Sequence, residues 1–161
     1  KPGLPLHDAI RDVQALAKSA ADSGYDASLL KAVEEVNLRQ KRRVFEKMQS
    51  HYGANLKDKT IALWGLSFKP STDDMRAAPS RVIMEALWET GARVRAYDPE
   101  AMEGDDALVI ITEWQEFRSP DFNALKDGLA DGVIFDGRNL YEPKTVEGFG
   151  LQYYAIGRGR S

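Results

Sequence analysis

Residues 60–80 read Thr60-Ile-Ala-Leu-Trp-Gly-Leu-Ser-Phe-Lys-Pro-Ser-Thr-Asp-Asp-Met-Arg-Ala-Ala-Pro-Ser80, and the stretch changes character abruptly at its middle. Thr60 to Phe68 is almost continuously apolar, with β-branched and aromatic residues, as in a strand buried on both faces. Lys69, Thr72, Asp73, Asp74 and Arg76 then crowd around Pro70. Pro79 opens a helix predicted to run to about Thr90, because proline suits the first helical turn, and Gly91 supplies the stop. Strand, charged loop and helix in that order predict an α/β fold. In an open α/β sheet such a loop lies at the carboxyl end of its strand, where ligands bind.

Upstream, Lys1 to Leu6 holds two prolines without periodicity and reads as a disordered end. A helix is expected from about His7, with Ile10, Val13, Leu16, Ala17 and Ala20 on one face and Gly24 as its stop. Asp26 or Ser28 caps a second, longer helix to about Ser50. Its apolar stripe is Leu29, Val33, Val36, Val44 and Met48, with Leu30 and Phe45 beside it. Gln40 lies on that stripe and Asn37 next to it. Amides there fit either contact with a second subunit or a core helix with a wet seam, and the pattern leaves both open. Downstream, strands are expected at Arg93 to Tyr97, Ala107 to Ile111, Gly132 to Phe135 and near Gln152 to Ile156, with a helix from Asp121 to about Leu129. Only residues 100–106 separate Pro99 from Ala107. A parallel crossover takes a dozen or more residues, so either a segment is absent or these strands are not parallel neighbours.

The chain has 161 residues, enough for one good core and an appendage. Its 43% hydrophobic and 29% charged content is ordinary for a soluble globular protein. The net charge is −3, with no basic block beyond Lys41-Arg42-Arg43, which reads as a solvated helix face and argues against nucleic-acid binding. The absence of cysteine removes disulfides, thiolate metal ligands and a thiol nucleophile from these residues. No apolar run approaches the ~20 residues that span a bilayer, and no secretory signal pattern appears. The expectation is a cytoplasmic protein without a membrane or nucleic-acid partner.

Lys69 follows the first strand and Arg138 the fourth. In a parallel sheet both stand at the carboxyl edge, where two converging cations make an anion site, with arginine able to grip phosphate bidentately. Each could instead be a surface cation paired with a nearby carboxylate, Asp73 or Asp74 for Lys69 and Asp136 for Arg138. The residues alone leave both readings open. Asp98, ending the second strand, occupies the place of the ribose-binding acid in dinucleotide folds. Those folds need G-x-G-x-x-G after the first strand, and here stands Gly65-Leu-Ser-Phe-Lys-Pro70, one glycine and then bulk. The loop cannot cradle a dinucleotide in that manner, and Asp98 reads as a turn former before Pro99.

Gly65-Leu66-Ser67-Phe68-Lys69-Pro70 with Thr72-Asp73-Asp74-Met75-Arg76 and Pro79-Ser80 resembles the signature of the nucleotide-sugar 6-dehydrogenases, the UDP-glucose/GDP-mannose dehydrogenase family. Ala96-Tyr97-Asp98-Pro99, Ile111-Thr112-Glu113-Trp114 and Phe135-Asp136-Gly137-Arg138-Asn139 follow in the family's order. The resemblance runs from about Asp12 to Arg158 and is to the C-terminal UDP-binding domain with part of the central dimerisation helix. The UDP-glucose 6-dehydrogenases are the nearest likeness. It implies a Rossmann-like parallel sheet with flanking helices, 57–161, preceded by a helical connector, 1–56. It implies that Lys69 and Arg138 hold UDP, that the main chain of Phe68 lines the substrate site, and that Arg76 reaches towards the nicotinamide cofactor. On its own, Arg76 could equally be salt-bridged to Asp73 or Asp74. Asp12 aligns with a water-positioning carboxylate, although an exposed helix aspartate is an equal reading. The family's nucleophilic cysteine would fall at Asp8.

The resemblance further implies an NAD-dependent enzyme that oxidises UDP-glucose to UDP-glucuronate, serving polysaccharide biosynthesis. NAD would sit on a separate N-terminal domain, and the long helix would form a homodimer. With neither cysteine nor an NAD fingerprint, this chain alone is expected to be inactive. The alternatives are the equivalent domain of a GDP-mannose or UDP-N-acetyl sugar dehydrogenase, or a non-catalytic nucleotide-binding or dimerisation module. The family also has a longer segment between the second and third strands, so absence of a segment between Pro99 and Ala107 is the expectation.

Overall fold

Five strands, β1 (Thr60–Trp64), β2 (Arg93–Ala96), β3 (Asp105–Ile110), β4 (Leu129–Asp136) and β5 (Gln152–Ala155), pair in the order β2-β1-β3-β4-β5. All four pairings are parallel. The computed structural model describes residues 15–17, 19–20, 22–67, 75, 78–96 and 104–158.

Strand residues point alternately to the two faces of a sheet, and here both faces are apolar. Ile61, Leu63, Ala107, Val109, Val133 and Phe135 share one core with Val44, Phe45 and Met48 of α1 (Ser28–Tyr52) and with Ile83, Ala86 and Leu87 of α2 (Pro79–Glu89). Ala62, Trp64, Leu108, Ile110 and Ile134 share the other with Leu125 of α3 (Phe122–Gly128), Val146 of α4 (Pro143–Gly148) and Phe117 of the 3-10 turn Gln115–Arg118. Trp64 stacks on Phe117 with centroids 4.9 Å apart. Each large side chain fully buried in this way contributes about 1.5–3 kcal/mol. The result is the expected α/β fold, a Rossmann-like parallel sheet between helical layers.

The chain divides into two units, Lys1–Gln40 and Lys41–Ser161, and α1 runs through the boundary. In the second unit Val44, Phe45 and Met48 are core residues. In the first, Leu29, Val33, Val36 and Leu38 are exposed, Leu29 to 76%. One apolar stripe is therefore buried at its end and open at its start, and Gln40 is exposed. Ahead of α1, helical residues end at Gly24 (φ +71), where the Tyr25 N–H donates to the Ala20 carbonyl at 2.8 Å. Ile10 and Val13 lie outside the described residues. No helix among the described residues is long and apolar enough to cross a membrane.

Two expectations need correction, and one element is new. β1 ends at Trp64 rather than Phe68, because Gly65 turns out of the strand at φ +90. β4 begins at Leu129, ahead of Gly132. α4 was not anticipated: six residues with Pro143 in the first turn and one buried side chain, Val146, give no readable period. As for β2 and β3, they are parallel but not neighbours, since both pair with β1. β2 and β3 therefore lie on opposite sides of β1.

At the amino edge of the sheet, Lys59 donates to Asp131 at 2.7 Å and to Asp106 at 2.9 Å, tying the entrances of β1, β3 and β4. The second oxygen of Asp106 accepts the Thr60 N–H at 2.7 Å. Lys59 also stands 5.0 Å from the ring centroid of Tyr52.

Candidate functional site

The strand order changes direction between β1 and β3, the position at which open α/β sheets bind ligands beyond their carboxyl ends. Both strands are held in tight register there. A Cβ on Gly65 would lie 2.6 Å from the Thr112 Cβ and 2.7 Å from its nitrogen, so only glycine fits. The Thr112 hydroxyl donates to the Ser67 carbonyl at 2.6 Å. The Ser80 hydroxyl, from the first turn of α2, donates to the Leu66 carbonyl. Residues 65–67 are thus fastened from two other elements before the chain enters the charged loop. Phe68, Lys69 and Arg76 of that loop, and Asp12, lie outside the described residues.

The same contacts test the loop against a dinucleotide. The space left by the missing Gly65 side chain is filled by Thr112, and α2 begins only at Pro79. Among the described residues of this strand–helix unit there is no glycine-lined approach to a helix N-terminus, so these residues do not fit an NAD pyrophosphate.

The loop after β4 is built more firmly. Asp136 is fully buried. Its Oδ1 accepts the Arg138 N–H at 2.7 Å, and its Oδ2 accepts the Leu140 N–H and the Tyr153 hydroxyl, both at 2.7 Å. Burial, with Asp136 alongside, pushes the Tyr153 phenol far above its ordinary range, so it remains a donor. Asn139 sits at φ +58, and its amide makes two bonds to Ile156, donating to the carbonyl at 3.0 Å and accepting the N–H at 2.8 Å. Arg158 donates to the carbonyls of Asn139 at 2.8 Å and Tyr141 at 2.9 Å. A buried polar network satisfied at this level fixes a loop in one conformation.

Arg138 projects from this loop, its side chain 41% exposed, and its Nη2 donates to Glu113 Oε1 at 2.9 Å. Glu113 Oε2 accepts from Arg118 Nη2 at 3.2 Å. The alternative reading of the sequence offered Asp136 as the carboxylate paired with Arg138. Instead Asp136 takes the main-chain N–H of Arg138, and the guanidinium pairs with Glu113. Glu113 and Arg118 carried no role in the sequence reading. The available signal was position: Glu113 stands directly after β3, on the edge that carries Arg138. Two guanidiniums sharing one carboxylate leave the cluster with net positive charge, which suits an anion.

A sequence profile of the UDP-glucose/GDP-mannose dehydrogenase family, UDP binding domain, matches residues 62–106 and 100–143. The chain belongs to the UDP-glucose/GDP-mannose dehydrogenase family. The matched residues cover β1 to the start of α4, so both loops just described lie in the family's UDP-binding domain. The UDP-glucose 6-dehydrogenase of Pseudomonas aeruginosa is 42% identical over 177 residues, covering 94% of this chain and 39% of that protein. That of Rhizobium meliloti is 38% identical over 168 residues, covering 92% and 38%. The structure is similar to that of the UDP-D-ManNAc dehydrogenase of Pyrococcus horikoshii, with a TM-score of 0.71 and 26% identity, over 87% of this chain and 36% of that one. The chain therefore spans about two fifths of the length of the curated relatives it matches. The two stretches of the family profile overlap at residues 100–106, across the end of the β2–β3 connection and the start of β3. The Pseudomonas alignment is also longer than the part of this chain it takes in, so that family member has residues without counterparts here.

Proposed function

We propose that this chain is the nucleotide-sugar-binding C-terminal domain of an NAD-dependent UDP-glucose 6-dehydrogenase, which converts UDP-glucose to UDP-glucuronate. The observation that carries the reading is Arg138, a guanidinium presented at the sheet's carboxyl edge by a loop whose polar groups are tied down. Arg138 and Lys69 bind the UDP phosphates, and the main chain of Phe68 lines the sugar's site. NAD belongs to the complete protein and is held by an N-terminal domain, since Gly65-Leu-Ser-Phe-Lys-Pro70 lacks the glycine fingerprint for it. Arg76 is directed to that cofactor, and Asp12 is the water-positioning carboxylate. The exposed start of the α1 stripe forms a homodimer.

The 161 residues contain no cysteine, which favours a second statement: by itself the chain binds nucleotide without turning it over. Calorimetry with UDP and UDP-glucose tests the first reading. Losing one charge-assisted phosphate contact, in Lys69→Ala or Arg138→Ala, should weaken binding by about 1.5–3 kcal/mol. Unchanged affinity in both variants would overturn the assignment. Incubation with UDP-glucose and NAD should yield no NADH, and sustained absorbance above a no-substrate control would contradict the second.

A further inference from the structure

We propose that Glu113 is a positioning residue for phosphate binding, holding the Arg138 guanidinium with one two-pronged edge open to the nucleotide. The inference deepens the proposed UDP site and rests on it. Arginine has two edges that grip phosphate bidentately, one formed by Nε and Nη2 and one by the two Nη atoms. Glu113 takes a single bond from Nη2 at 2.9 Å. Nη2 carries two hydrogens, so one bond to Glu113 uses one edge and leaves the other for a ligand. The loop fixes the backbone of Arg138 through Asp136. Its long side chain would still sample many rotamers, and ordering such a chain is costly at the moment of binding. Glu113 supplies that order beforehand, and Arg118, on Oε2 at 3.2 Å, steadies the carboxylate.

Bulk electrostatics makes the opposite prediction. A carboxylate beside a phosphate site repels the ligand, so removing its charge should tighten binding. The sign of the effect therefore separates positioning from charge.

Calorimetry on the 161-residue chain with UDP as probe decides between them. Glu113→Gln keeps the shape and removes the charge. UDP should bind about three- to fivefold more weakly, the scale of an exposed ion pair. The melting temperature should hold, and the same change in an Arg138→Gln background should have no further effect. Affinity that is unchanged or tighter in Glu113→Gln would overturn the inference, as would a loss that persists without Arg138. A wild-type chain that does not bind UDP would instead remove the proposed function, and this inference with it.

Discussion

Val44 stands where a side chain on Gly137 would have to go: its Cγ2 lies 2.8 Å from the position of a Cβ there, with the Ile110 carbonyl at 3.1 Å. Helix α1 is thus the back wall of the Arg138 loop. It contributes to the site through the packing of Val44.

Gly137→Ala should accordingly cost about 1–3 kcal/mol, because it must displace either a β-branched side chain or a strand carbonyl. Val44→Ala removes the clashing methyl group and costs stability by itself through a cavity. Together the two changes should cost clearly less than the sum of the singles, as expected for residues competing for one space. Urea denaturation of the four proteins measures this. Simple additivity, or a Gly137→Ala protein as stable as wild type, would contradict the packing argument.

The Lys59 cluster predicts a pH dependence with a definite sign. Burial raises the Asp131 carboxyl, but the Lys59 ammonium and the Tyr52 phenol outweigh it and hold the group below the ordinary carboxylate range. Hydrogen bonds to Asp131 and Asp106 raise Lys59 above its ordinary value. The Asp131 contribution is therefore complete above about pH 4 and lost as pH falls through its lower folded value. The Lys59 contribution is complete below about pH 10.4 and lost as pH rises through its higher folded value. The stability difference between wild type and Lys59→Met should be largest between these limits and shrink on both sides. A difference that stays constant from acid to alkali would refute it.

The proposed dimer is best tested at Val36, which is 45% exposed. Sedimentation velocity at high micromolar concentration should show a dimer for wild type and a folded monomer for Val36→Lys, with a melting temperature no higher than that of wild type. A monomeric wild type would end the proposal. Val44 lies on the same stripe, but at 6% exposure it belongs to the sheet's own core, and lysine there would unfold the domain.

Much of the fold was legible because local signals agreed with tertiary demands. The unbroken apolar run of β1, proline at the start of α2 and glycine after it each place an element near where it occurs. Strand order was not legible, because pairing is decided by contacts distant in sequence. Nor was the end of β1: apolar Leu66 and Phe68 continue the pattern, and only the approach of Thr112 to Gly65 shows why the chain turns. At the site, Arg138 was legible as a cation at a strand end. Its pairing with Glu113 was not, because adjacency in sequence favours Asp136. That carboxylate is consumed by two backbone N–H groups and a phenol.

Among the described residues, β2 is the outermost strand on its side of the sheet and pairs with β1 alone. A free strand edge is a template for other chains, and long, flat, apolar edges invite aggregation. β2 has only four residues, and two of them, Arg93 and Arg95, are exposed arginines. A second copy pairing there through its own β2 would bring its Arg93 alongside the same charge, at about 4.8 Å between strands, while Arg95 is already paired with Asp105 at 3.2 Å. The short, cationic edge therefore acts as a solubility guard, discouraging the sheet from growing past its fifth strand.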